Sequence, residues 1–323
     1  MAKMPLLLAS VVLACRFLAL AQYQPSQSTH SLLVGVLDSK GNAVPSLTKN
    51  NFRVKVNGHP AVLRDAPYSI APRRIAVLLD TSGSMAGKTK WLIAREAVDD
   101  LLSDTPADVH IALLTFSDQV HDVFDFSQTR DSIAAWLKER PSAQGVKISG
   151  RTALYDSVLA ATKLLEPTRA GDAIYIISDG GDNASNISDT DTRKLLLRSQ
   201  IRLFVFLLAE PMIFAQERSE PDLIVRLARA TGGFVFGVKS DQLALAGEPW
   251  EFAYDYDERT RSRVRLYTQA LNIQVNGFFT LLFDASPSER KSNKVSVEVI
   301  DNSGKVRKDL AWTYPEAFPA TGK

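Results

Sequence analysis

Cysteine is almost absent. Cys15 stands alone in 323 residues, so the chain makes no internal disulfide and offers no thiol nucleophile beyond its first residues. Histidine is scarce as well: His30, His59, His110 and His121 are scattered without metal-ligand spacing, and surface or edge-strand positions are their default. Surplus charge is also missing. The formal net charge is +2, and residues 1–21 carry Lys3 and Arg16 with no acid, so without them the charge is 0; nothing in that balance points toward nucleic acid. No fixed-period repeat, low-complexity tract, G-x-S-x-G or H-E-x-x-H occurs. Their absence removes repeat architectures and the signatures of serine hydrolases and zinc proteases.

What the chain does have is a globular composition, 45% hydrophobic with 23% charged residues, at a length that allows about two average domains. Its first 21 residues read as an export signal: Lys3 in front, an apolar stretch from Leu6 to Ala14, and Ala19-Leu20-Ala21 as a small-x-small cleavage site before Gln22. The 21-residue segment is too short, and too interrupted by Arg16, for a membrane span. A second reading makes Val12-Leu13-Ala14-Cys15 a lipoprotein-type site with Cys15 acylated, and a third is a cytoplasmic protein with an apolar start. The expected location is exported, periplasmic or extracellular.

Between Ile75 and Val238 the chain alternates apolar runs with helical stretches. The runs are IAVLLD (75–80), IALLTF (111–116), AIYIIS (173–178), LFVFLL (203–208) and GFVFGV (233–238). Their lack of in/out alternation suits strands covered on both faces. Residues 89–102 place Ile93, Ala97 and Leu101, with Ala94 and Val98, at three-and-four spacing, as residues 153–165 do with Leu154, Val158, Ala161 and Leu165. The pattern is a doubly wound α/β domain. The flanks differ: SLLVGVLDSKGNAV and FRVKVNGHPAVL before it, and FFTLLFD and KVSVEVIDNSGKVRKDLAWTY after it, alternate like strands around turns, Asn57-Gly58 being a strong hairpin signal. Neither flank alone buries a face well, so the two are expected to pair into one small β-module. The organisation read from this is a signal (1–21), an N-terminal β-segment (22–70), the α/β domain (71–245) and a C-terminal β-segment (246–323).

The stretch VLLDTSGSMAGKTK (77–90) has two chemically opposite readings. A phosphate loop needs Gly, four residues, then Gly-Lys-Ser/Thr; here Gly83 to Gly87 encloses three, and Ser82 stands where the glycine belongs. The metal reading accounts for more residues. Asp80, Ser82 and Ser84 alternate at i, i+2, i+4, which in an extended loop sends them to one side. One carboxylate and two hydroxyls form a hard oxygen set suited to a small divalent cation and unsuited to zinc or copper. Thr152, as ligand or helix cap, and Asp179 lie in loops that the βα order brings to the same sheet edge.

DTSGSM, GRTALYD and ISDGGD together resemble the three segments of the metal-ion-dependent adhesion site of the von Willebrand factor type A superfamily. The likeness spans about residues 73–240, including the Thr231-Gly232-Gly233 turn, and the flanks more loosely resemble those of bacterial extracytoplasmic proteins with a type A-related domain. It implies a six-stranded, mostly parallel sheet with one antiparallel edge strand, helices on both faces, and Mg²⁺, or Mn²⁺, at the top. Ser82, Ser84 and Thr152 would bind through hydroxyls, Asp80 and Asp179 directly or through water. Arg151 departs from the pattern, since many members carry glycine there. Magnesium prefers six oxygens and this set supplies at most five side chains, so a partner's Asp or Glu can complete the shell.

The expected function is a non-enzymatic, cation-dependent module that binds a protein or matrix ligand. The alternatives are an exported scaffold whose β-module makes the contacts, and a metal-assisted hydrolase. Asp182 reads as a surface turn residue. Arg259, Arg261, Arg263 and Arg265, at every second position, read as a solvated linker face that on a strand would line one side.

Overall fold

The computed structural model of the chain describes residues 28–70, 74–86, 88–140, 148–208, 221–236, 258–286 and 292–318. The expected signal and Cys15 lie outside the described residues. The N-terminal flank is β1 (Ser28–Asp38), β2 (Phe52–Val56), β3 (His59–Pro60), β4 (Val62–Asp65) and β5 (Tyr68–Ser69). The β2–β3 turn sits where Asn57-Gly58 predicts it, with φ of 52° and 85°, the two positive values that a type I′ hairpin requires. Along β2 the period-2 pattern holds, Phe52, Val54 and Val56 being buried and Arg53 exposed.

The central unit runs β6 (Arg74–Asp80), α1 (Lys88–Asp104), β7 (His110–Phe116), β8 (Val120–Phe124), α2 (Arg130–Lys138), α3 (Leu154–Leu164), β9 (Ala173–Ser178), α4 (Asp189–Ser199), β10 (Arg202–Leu207), α5 (Pro221–Ala230) and β11 (Val235–Phe236). Its six strands lie in the order β11-β10-β9-β6-β7-β8, parallel throughout except for β8, which runs antiparallel to β7. Every residue of β6 is buried, and the alternation of a strand divides them between two helical layers. Ile75, Val77 and Leu79 pack in one core with Ile93, Ala97 and Leu101 of α1 and Ile133 of α2. Ala76 and Leu78 pack in the other with Leu154 and Val158 of α3, Leu196 of α4 and Ile224 of α5. From β6 the chain winds outward through β7 on one side, while β9, β10 and β11 build the other. The crevice between β6 and β9 is therefore the topological switch point, where open α/β sheets bind their ligands.

The C-terminal flank begins with a correction. Glu258–Asn276, expected within a β-segment, is helix α6. The alternating arginines read as a solvated linker face, but Val264, Thr268, Leu271 and Val275 are buried at helical spacing, and burial of that stripe makes the segment a helix. Val264, Leu271 and Val275 join the core beneath α1, and Arg265 bonds Asp100 at 2.5 Å and Asp104 at 2.7 Å on α1. Arg261 and Arg265 thus face the acids of α1. Then come β12 (Phe278–Ala285), β13 (Asn293–Val299), β14 (Leu310–Thr313) and β15 (Ala317–Phe318). They interleave with the N-terminal strands: β1 lies between β12 and β14, and β13 between β2 and β15, all antiparallel. Val34, Phe52, Val54, Phe279, Phe283 and Val297 from the two sheets share one core, so the two flanks complete each other.

One glycine fixes how the sheet edge closes. A Cβ on Gly233 would fall inside contact distance of the Leu203 main-chain carbonyl, which β10 cannot move without breaking its ladder. Gly233→Ala is expected to cost about 1–3 kcal/mol of unfolding free energy, as overpacked cores do, and urea denaturation checks it.

Candidate metal centre

Asp80 is the last residue of β6 and is fully buried. Its Oδ1 accepts the Ser82 main-chain N–H at 2.8 Å, and its Oδ2 accepts the Ser178 hydroxyl, at the end of β9, at 2.6 Å. Beyond it the chain is pinned to β7: both the N–H and the hydroxyl of Thr81 donate to the Phe116 carbonyl, at 2.7 and 2.9 Å. The loop then curls through a single 3₁₀ turn, Gly83–Ala86, held from below by the fully buried Met85. Ser82 and Ser84 converge, their Oγ atoms 3.1 Å apart. It is this turn, and not the extended loop read from the spacing, that brings them together.

Thr152 belongs to a second loop tied to the first. The Gly150 carbonyl accepts Gly83 N–H at 3.1 Å and the Thr81 carbonyl accepts Ser149 N–H at 3.1 Å. The Thr152 side chain is almost wholly buried, while its N–H donates to Asn183 Oδ1 at 2.8 Å and its carbonyl accepts from Asn183 and Ala184. It does not cap α3: Ala153 is the N-cap residue, and the first turn is satisfied by Asp182, which accepts Tyr155 N–H at 3.3 Å, and by Ser185, which accepts Asp156 N–H at 3.0 Å. Asp182, read as a surface turn residue, is half-buried and anchors this helix start.

Asp179 follows β9 in the third loop. Its Oδ2 accepts the Lys90 ammonium at 3.0 Å, and that ammonium also donates to the Ser84 carbonyl at 3.0 Å. Lys90, in the first turn of α1, is itself buried. Burial pushes the Asp80 carboxyl up to about 6, the neighbouring charge of Asp179 adds to the rise, and the hydrogen bonds from Ser178 and Ser82 oppose it. Asp80, Ser82, Ser84 and Asp179 are thus linked through direct contacts and charge, and the Thr152 loop is laced to theirs through main-chain bonds. Ser178, Lys90 and Asn183 are the residues that sequence reasoning missed. Arg151 is exposed.

Among the described residues no three His, Cys, Asp or Glu side chains group closely enough to hold a metal ion, so a cation here would rely on two carboxylates and on hydroxyls. A histidine does stand nearby on the edge strand: His121 Nε2 lies 2.7 Å from Ser117 Oγ. Asp118 approaches the same ring nitrogen at 3.5 Å and accepts the Ser117 hydroxyl at 3.0 Å. A carboxylate on the nitrogen that faces the serine does not orient the ring as the third member of a triad does.

Residues 75–181 match the family profile of the von Willebrand factor type A domain, a stretch that runs from β6 to the loop after β9. No curated protein matches the chain. Among solved structures, an aerotolerance-related membrane protein from Bacteroides fragilis, bearing multiple mutations to serine, is similar at 16% identity, covering 63% of this chain and 98% of that one with a TM-score of 0.42. The BatB protein of Bacteroides thetaiotaomicron is similar at 14% identity, with 61% and 98% covered and a TM-score of 0.40. A von Willebrand factor type A protein from Catenulispora acidiphila has 12% identity, with 85% and 74% covered and a TM-score of 0.46.

Proposed function

For a chain that carries a von Willebrand factor type A domain, we propose the function of a divalent-cation-dependent binding module, exported by the segment 1–21, that takes a protein or matrix ligand through an acidic side chain. Domains of this family commonly mediate protein–protein interaction. The observation that carries the cation-dependent reading is the meeting of Asp80, Ser82, Ser84 and Asp179 at the switch point of the sheet, with the Thr152 loop bonded against them. The donor chemistry fits a small hard dication: every candidate donor is an oxygen, two are carboxylates, and the two carboxylates repel each other in a buried setting. Asp80, Ser82, Ser84, Thr152 and Asp179 would hold Mg²⁺ or Mn²⁺. The ion would supply an electrophilic centre for a carboxylate of the partner.

This chain's own part is to preorganise the oxygens. Ser178 fixes one oxygen of Asp80 and the Ser82 amide fixes the other, so the carboxylate is held before any ion arrives. Thr81 locks the loop to β7, and Met85 keeps the turn from lifting. Such support is what separates a site from a group of nearby oxygens.

The test is retention of ligand from the native extract by the immobilised protein. It is expected in Mg²⁺ and expected to be lost in EDTA, with restoration on adding Mg²⁺ back. Retention that is indifferent to EDTA would shift the contacts to the β-module and make the chain a scaffold. Turnover of an ester or phosphate panel that depends on Asp80 would make it a metal-assisted hydrolase.

A further inference from the structure

Lys90 occupies an electrostatically unfavourable position. It sits in the first turn of α1, where the helix dipole is positive and acids are preferred, and that first turn contains no acid. It is also buried, which penalises an ammonium further. Among its described contacts, the ammonium that bears both costs lies 3.0 Å from Asp179 Oδ2 and 3.0 Å from the Ser84 carbonyl. Those two partners belong to the loops that supply the candidate cation ligands, and the partner carboxylate is itself one of those ligands.

We propose that Lys90 is a tethered cation that neutralises the Asp80–Asp179 pair when no dication is bound and competes with the dication for Asp179. The inference rests on the reading of this site as a divalent-cation site and deepens it: it concerns how tightly the ion is held and what stabilises the loops without it. A dication that engages Asp179 must either share the carboxylate with the ammonium a few ångströms away or drive the lysine off. Repulsion between +2 and +1 charges at that range, in surroundings of intermediate dielectric, lowers affinity by about tenfold or more. The cation affinity is therefore set low by design of the first turn of α1, so that occupancy follows the ambient concentration of the ion and the arrival of a partner carboxylate.

The experiment uses the full chain stripped with chelator, with the variants Lys90→Met and Lys90→Gln. The glutamine is one atom shorter than lysine but keeps a neutral N–H donor toward Asp179 and Ser84, so it removes the charge without leaving a wholly apolar side chain and guards against a failure of the methionine variant to fold. Two quantities are read: the dissociation constants of Mg²⁺ and Mn²⁺ by titration calorimetry, and the melting temperature in EDTA and in saturating MgCl₂. Both variants are expected to bind the ions about tenfold or more tightly than the unsubstituted chain. In EDTA they are expected to melt below it, a gap that closes in saturating Mg²⁺. A purely structural lysine predicts otherwise, with melting lowered equally in both buffers and affinity unchanged or weaker, and that result overturns the proposal while leaving the metal site standing. If neither the unsubstituted chain nor any variant takes up a dication, the cation reading itself falls and this proposal falls with it.

Discussion

On the proposed cation-dependent reading, replacing Asp80 by alanine is expected to leave a folded protein that no longer takes up Mg²⁺ or Mn²⁺ and no longer retains a ligand through it. Asp80 is fully buried, and its carboxyl is raised to about 6 by that burial and by Asp179. Burial thus disfavours the charge that a dication beside the carboxyl would favour. Alanine removes the acceptor for the Ser82 N–H and the Ser178 hydroxyl, a cost of roughly 1–3 kcal/mol, and it relieves part of the burial penalty in exchange. Stability therefore changes modestly, whereas dication affinity is expected to fall at least about 100-fold, since even residues behind a ligand cost 10–100-fold when changed. Asp80→Asn separates the two effects. It keeps the shape and can still accept from the Ser82 amide, so it is expected to melt close to the unsubstituted chain yet to bind the ion as poorly as alanine. Calorimetric titration and thermal melting of the two variants side by side check this.

The largest effect on stability is expected at the opposite end of the same strand. Arg74 opens β6, and its guanidinium bonds Asp172 through Nε at 3.2 Å and through Nη2 at 2.6 Å, while Nη2 also donates to the carbonyls of Leu165 and Pro167 at 2.6 and 2.8 Å. Asp172 is completely buried and accepts the Arg169 N–H as well. Arg74→Met leaves that carboxylate without its counter-charge and two carbonyls without their donor. Removing one partner of a buried pair costs about 3–5 kcal/mol, and a loss of that size in urea unfolding is the expected outcome. Removing the second charge as well, in Arg74→Met with Asp172→Leu, is expected to recover part of the loss, because the remaining penalty is then hydrogen bonding and packing without a stranded charge. Dication uptake proposed for the loops at the other end of β6 is expected to be the same in both variants as in the unsubstituted chain.

How much of this was legible in the chain depended on burial. The strands buried on both faces, β6, β7, β9 and β10, announce themselves as unbroken apolar runs, because each residue has a helical layer to meet. The edge strand β8, with only its ends half-buried, shows no such run and was expected only through family resemblance. Helix α4 buries Thr192 and Leu196 alone among its eleven residues, too little to show a period. In α6 the arginines at alternate positions masked the helical stripe beneath them, and the stripe prevailed because burial of Val264, Leu271 and Val275 outweighs any preference of solvated charges.

At the candidate site, Asp80, Ser82 and Ser84 were singled out by their spacing, though not the geometry that joins them; Asp179 follows from the rule that loops after parallel strands share an edge, and Thr152, just before α3, from the order of elements. The 3₁₀ turn that unites the serines was not readable, since DTSGSM is compatible with an extended loop. Nor was Lys90, whose contact with Asp179 spans 89 positions and depends on a flexible side chain folding back over the start of its own helix. Ser178 was visible only as part of a motif; its bond to Asp80 arises because β6 and β9 are neighbours and end level with each other.

The central claim is that the loops after β6 and β9, with the Thr152 loop, bind one hard dication. Its most direct test is titration of Mg²⁺ and of Mn²⁺ into the chelator-stripped chain by calorimetry. One equivalent of either ion taken up, and lost in Asp80→Asn, is the predicted result. Uptake of neither ion by a chain that is demonstrably folded, or uptake that Asp80→Asn leaves unchanged, would contradict it.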